Sequence, residues 1–116
     1  MNPDRLLVLA GGLSGAAGVA LSAAAAHSDV GNVGTAASFL LMHAPALLAI
    51  GLVGGSRFLR IGGFVLLLGV AIFAGDLLMR DYAGMRLFPM AAPSGGLLMI
   101  AGWLVVAASA MTRRSA

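Results

Sequence analysis

A chain of 116 residues that is 60% hydrophobic and only 9% charged cannot cover a water-facing surface, because a soluble domain of this size carries about 25% charged residues; its mean hydropathy of +1.02 makes lipid its solvent. The lack of cysteine excludes a disulfide framework, a thiolate metal site and a cysteine nucleophile. The formal net charge is +3, yet all seven cationic side chains are arginines at the ends of apolar runs, which is where membrane proteins place cations, so no nucleic-acid partner is expected.

The first element follows a short polar start, Met1 to Arg5. Leu6 to Ala26 carries no charge and is long enough to cross about 30 Å of hydrocarbon at about 1.5 Å per residue. Gly11, Gly15, Gly18, Ser22 and Ala25 recur at alternating steps of four and three, which places them on one helix face and lets another backbone approach closely. Arg5 and Ala24-Ala25-Ala26 imitate the flanks of a cleavable signal sequence, but the run exceeds the roughly 7–15 residues of such a core, so it reads as a retained span. Ala23 to His27 also has the Ala-xxx-His spacing of a pigment ligand, weakly supported because alanine runs are common and His27 stands at the end of the segment.

His27 to Gly34 is a polar link with Asp29 and no arginine. Thr35 to Val53 is the second span, interrupted by His43 and Pro45. Pro45 removes a backbone donor and frees the carbonyl near Leu41, so a kink is expected. An ionisable group within a span faces the bundle interior. The plain reading of His43 is a neutral imidazole bonded to a neighbouring helix; a proton-linked role or haem ligation is the sharper one.

Gly54-Gly55-Ser56 is a turn flanked by Arg57 and Arg60, and Ile61 to Met79 is the third span. Gly62, Gly69 and Asp76 lie seven apart, hence on one helix face. Arg80 stands four residues after Asp76, so an ion pair between them is the plain reading of that acid. Arg80 to Leu87 forms the next link, where Tyr82 and Phe88 suit a membrane interface. The last span covers 91–111, with Pro93 in its first turn, where a missing donor costs little. Gly95, Gly102 and Ser109 repeat the small-residue stripe, and Trp103 within the run is expected to pack on a neighbouring helix.

These elements predict an all-α membrane protein: one domain, a bundle of four transmembrane helices with short loops, spans near 6–26, 35–53, 61–79 and 91–111. Arg5, Arg57, Arg60, Arg113 and Arg114 fall on one side, against Arg80 and Arg86 with Asp81 on the other. That bias places both termini in the cytoplasm.

The Gly/Ala-rich first span ending in Ala26-His27, the His43-Ala44 step before Leu47-Leu48, Phe73-Ala74-Gly75, and Ala92-Pro93-Ser94-Gly95-Gly96 followed by Gly102-Trp103 form an ordered pattern across nearly the whole chain. It resembles domain-of-unknown-function family 423, small four-span proteins of bacterial inner membranes with a eukaryotic transmembrane relative. The resemblance implies the fold and a multi-pass inner-membrane location, and brings no established activity with it. The chain departs from the pattern in a shorter first outer link, and in Asp76 where a small or hydroxyl residue is expected.

Catalytic patterns are missing. There is no P-loop, no H-E-x-x-H, no CxxC and no nucleophile–base pair; Ser94 before Gly95-Gly96 lacks the first glycine of a nucleophile elbow. The methionines have no tight ligand spacing for copper and are ordinary fillers of cores. His27 and His43 differ in depth by about 12 Å, too far for one haem plane. No enzymatic activity, cofactor or metal is therefore expected. Two functions remain. The first is a structural or accessory packing subunit, self-associating or part of a larger membrane complex, with Gly11, Gly15, Gly18, Gly62, Gly69, Gly95 and Gly102 as helix-packing positions. The alternative is a small carrier or proton-linked factor with an outward-facing pocket of His27, His43, Asp76 and Arg80.

Overall fold

The computed structural model describes residues 4–28 and 31–112. Four helices follow one another: α1 Arg5–Ala25, α2 Gly31–Val53, α3 Arg57–Ala83 and α4 Ala91–Ser109. All four are long and apolar enough to cross a membrane, and no strand occurs among the described residues. Asp29, Arg113 and Arg114, which entered the reading of the links and of the charge bias, lie outside the described residues.

Capping explains where the helices begin and end. Asp4 caps α1, accepting the N–H groups of Leu6 and Leu7 at 3.1 and 3.3 Å. Ser56 caps α3 by accepting the Leu59 N–H at 3.1 Å, so that helix starts at Arg57 instead of near Ile61. It stops at Ala83, where Gly84 turns left-handed at φ 70°, a conformation that costs glycine nothing. α2 starts at Gly31, a turn earlier than the apolar run, and continues as one helix through Pro45. The reason for its early start is remote: Asp81, on α3, accepts the Val33 N–H at 3.0 Å and the Asn32 side-chain amide at 2.9 Å. An acid near a helix N-terminus satisfies orphan donors and complements the dipole.

The chain folds as two hairpins set side by side. α1 packs on α2, α3 on α4, and α2 joins the pairs by packing on α3, while the α1 and α3 backbones approach only slightly; α2 also reaches α4 through His43 and Trp103. The result is flattened, 52 × 27 × 17 Å. Asp4 donates its backbone N–H to the Gly51 carbonyl, and a cavity borders both Ser56 and Thr112. The start of α1, the end of α2, the start of α3 and the end of α4 therefore share one end of the bundle.

Within a bilayer, apolar side chains gain little by leaving lipid, so close packing has to hold the helices together. One apolar cluster comprises Leu7, Leu47, Ile50 and Leu66, and a second, toward the other end, comprises Ala36, Ala74 and Leu77. Small residues bring the backbones together. On α1, a Cβ at Gly11 would stand 2.8 Å from the Leu48 nitrogen of α2, and one at Gly18 2.7 Å from the Leu41 side chain; Gly15 faces the Ala44 methyl. On α3 and α4, Gly62 faces Val106, Gly69 faces the Met99 and Gly95 backbone, Gly95 faces the Phe73 nitrogen and Gly102 faces Leu66. These positions all point into contacts within the chain. Gly51 against Val8, and Gly63 against Leu7 and Ile50, join them although the seven-residue stripes did not include them.

Candidate functional site

The buried polar groups form three separate arrangements. The first centres on Asp76, whose side chain is 0% exposed on α3. One carboxylate oxygen accepts from the Arg80 guanidinium at 2.8 Å, one helical turn away. The other accepts the backbone N–H of Leu87 at 2.7 Å, and the Ala92 N–H in the first turn of α4 also faces this carboxylate. Asp76 is thus a fastener between α3, the link and α4. Its hold on Leu87 helps position Met90, which begins α4 in the left-handed region at φ 66°, a conformation that costs a non-glycine residue about 1–2 kcal/mol. Arg80 reaches the surface with 30% of its side chain, while its Nε is buried without a partner among the described residues.

The second arrangement surrounds His43, 4% exposed on α2. The Trp103 indole N–H on α4 donates to its Nε2 at 3.1 Å. An indole can only donate, so Nε2 carries a lone pair and the ring proton sits on Nδ1, which donates to the Phe39 carbonyl at 2.8 Å. This neutral imidazole has both nitrogens committed. Its ring stacks with Phe39, which in turn lies 4.7 Å from Phe73.

The third arrangement stands at the opposite end. Asp4 forms an ion pair with Arg60, and the hydrogen bond from Arg60, assisted by the Leu7 and Leu6 N–H groups, holds the Asp4 carboxyl below the usual carboxylate range. Beside it lies a cleft of about 530 Å³ lined by Asp4, Arg5, Ile50, Gly54, Gly55, Arg57 and Arg60. A smaller cavity of about 280 Å³ borders Ser56 and Thr112.

The four residues of the expected polar pocket are divided by this structure. Asp76 and Arg80 pair with each other. His43 is bonded to Trp103 and Phe39 instead. His27 lies exposed just beyond the end of α1, and among the described residues no hydrogen bond, ion pair or ring contact joins it to the other three. The cleft and the smaller cavity at the opposite end include none of them. Among the described residues no three histidine or acidic side chains stand close enough to hold a metal ion. Sequence reasoning did not single out Asp4, Arg60 or Asp81 as structural partners. Asp4 before an apolar run is a recognisable helix-start signal; Asp81 carries no such sign, since its partners lie 48 and 49 residues away.

Four apolar helices, with the described acids used to bind helix ends, define a multi-pass integral membrane protein. More narrowly, the chain belongs to the family described as "Protein of unknown function (DUF423)", whose model matches residues 14–96. It is similar to a UPF0382 membrane protein of Staphylococcus haemolyticus, 30% identical over 88% of this chain and 92% of the relative. Similar proteins of the same description occur in Staphylococcus epidermidis, 28% identical over 88% of this chain and 92% of the relative, and in Staphylococcus saprophyticus, 28% identical over 89% of this chain and 86% of the relative. No solved structure matches the chain.

Proposed function

We propose that this protein is a non-enzymatic accessory component of the bacterial inner membrane that works by packing against a second copy of itself. The observation that carries the reading is the unused face of α1. The glycines Gly11, Gly15 and Gly18 are occupied by α2, and the α1 backbone does not come close to that of α4. Around the helix from them, Gly12, Ala16 and Ala20 are exposed at steps of four, and a Cβ at Gly12 would meet nothing within 4 Å. Small residues at that spacing permit close helix association in lipid. The carrier reading has less support, because Asp76 is paired with Arg80 and both ring nitrogens of His43 are bonded within the chain.

Native mass measurement in gentle detergent tests this. The parent chain is expected as an oligomer. Gly12→Leu and Ala16→Leu are expected as folded monomers, because both positions are exposed and a Cβ at Gly12 would stand in open space. A monomeric parent, or oligomers indifferent to both substitutions, would overturn the proposal.

The orientation belongs to the same reading: the end carrying Arg5, Arg57 and Arg60 faces the cytoplasm. The chain has no cysteine, so single cysteines report sidedness cleanly. One at Ser56 is expected to react only after the inner face is opened, and one at Ala83 from outside intact cells; the opposite pattern reverses the assignment.

A further inference from the structure

We propose that the cleft at the arginine-rich end binds a phosphate-bearing anion, either the headgroup of an anionic phospholipid or free phosphate. The cleft measures about 530 Å³, and its lining brings Arg5 of α1 together with Arg57 and Arg60 of α3 around a single acid, Asp4. That acid is already engaged: it accepts the Leu6 and Leu7 N–H groups and pairs with Arg60. Arg60 is further held over the Phe64 ring at 5.7 Å. Arg5 and Arg57 are exposed and have no carboxylate partner among the described residues. Among the described residues the cleft therefore presents two guanidinium groups without a carboxylate partner and a third paired with Asp4. Gly54 and Gly55 line it without side chains, which leaves its mouth open.

Two physical arguments turn this charge into a site. Guanidinium groups present paired N–H donors that match phosphate oxygens, and they lose little hydration in doing so. The arginines also stand where cations are disfavoured. Arg57 is the first residue of α3 and Arg60 lies in its first turn, which carries no acid; Arg5 is the first residue of α1, whose start has Asp4 as its cap. A helix start bears about half a positive charge, so an anion in the cleft relieves repulsion from the helix ends as well as from the side chains. A general excess of cytoplasmic arginine asks only for cations on one side of the membrane. It does not require two helices to direct them into one cleft at headgroup depth, where basic pockets between spans hold lipid headgroups. This inference does not depend on self-association, since the lining comes from one chain.

Binding to the purified full chain in detergent tests it, with phosphatidylglycerol, phosphatidylcholine and inorganic phosphate as probes and native mass and thermal shift as readouts. Saturable retention of phosphatidylglycerol at least about tenfold above phosphatidylcholine is expected. Arg57→Gln and Arg5→Gln each weaken it by about tenfold, the scale of one lost charge-assisted bond. Arg86→Gln, which removes an exposed charge from the opposite end, leaves it unchanged. Competition by millimolar inorganic phosphate identifies free phosphate as the ligand; phosphatidylglycerol binding that phosphate does not displace identifies the headgroup. Equal retention of both lipids without phosphate binding, or equal losses in Arg57→Gln and Arg86→Gln, would overturn the proposal. Unliganded melting temperatures of the variants show whether each is folded, and Arg5→Gln gives the reading if Arg57→Gln is not.

Discussion

Gly95→Leu is expected to destabilise the protein by about 3 kcal/mol or more, the upper range for forcing extra side-chain volume into a packed site. A Cβ at Gly95 would stand 2.6 Å from the Phe73 nitrogen and 2.8 Å from the Gly69 carbonyl oxygen. Those neighbours are helix backbone and cannot turn aside as a side chain can. Gly69→Leu meets the same obstacle from the other helix, 2.7 Å from the Met99 nitrogen and 2.9 Å from the Gly95 carbonyl oxygen. Either substitution has to push α3 and α4 apart along their length. Two controls isolate this effect. Gly96→Leu has open space around it and gains helix propensity, so it is expected to be neutral or stabilising by up to about 1 kcal/mol. Gly15→Ala places its methyl at ordinary contact distance, 3.6 Å from that of Ala44, and behaves alike. Thermal unfolding in detergent gives the comparison. If Gly95→Leu melts with Gly96→Leu, the α3–α4 backbones are not in the contact described here.

The second large effect is at Asp76. Asp76→Ala is expected to cost on the order of 3 kcal/mol, the lower part of the range for breaking a buried pair, because Arg80 is part exposed and its head can move toward the headgroups. Two losses are combined: the partner of Arg80 and the acceptor of the Leu87 N–H. Asp76→Asn separates them, since an amide oxygen still accepts from Leu87 while the charge is gone. Arg80→Gln alone leaves a buried carboxylate without its cation. Adding Asp76→Asn to Arg80→Gln is expected to recover most of that loss, whereas adding Asp76→Ala recovers little, because Leu87 still lacks its acceptor. A double-mutant cycle reads the difference. Equal rescue by alanine and asparagine would remove the Leu87 bond from this account and leave a simple ion pair.

The sequence legibly contains the pairing of Asp76 with Arg80, because i,i+4 spacing on one helix is a local relation. The fastening of Asp76 to Leu87 is not local in the same sense: it depends on how the link after Gly84 turns back toward α3. His43 is similar. Its place inside an apolar run requires a polar partner, and Trp103 is visibly unusual in its own run, but nothing in the spacing of 60 residues says that the two meet. The grouping of His27, His43, Asp76 and Arg80 into one pocket relied on the ends of spans alone. In the structure Asp76 and Arg80 pair with each other, the Leu87 N–H meets Asp76 and His43 meets Trp103; Leu87 and Trp103 come from a link and another helix, and no local spacing announces them.

What the sequence determined by itself is the solvent and the number of crossings. The length of an uncharged run and the scarcity of polar residues are properties of the chain read in one dimension, and the cost of an unpaired charge in hydrocarbon makes them decisive. The glycine positions were equally readable as close-contact faces. Only the tertiary structure decided what those faces touch, that Gly11 and Gly18 lie on α2 and that Gly69 lies on Gly95. It also decided that Asp81 starts α2 from another helix and that three arginines share one cleft. Helical periodicity states which residues share a face; crossing and register state which faces meet, and in lipid these are set by close packing and polar bonds between distant residues.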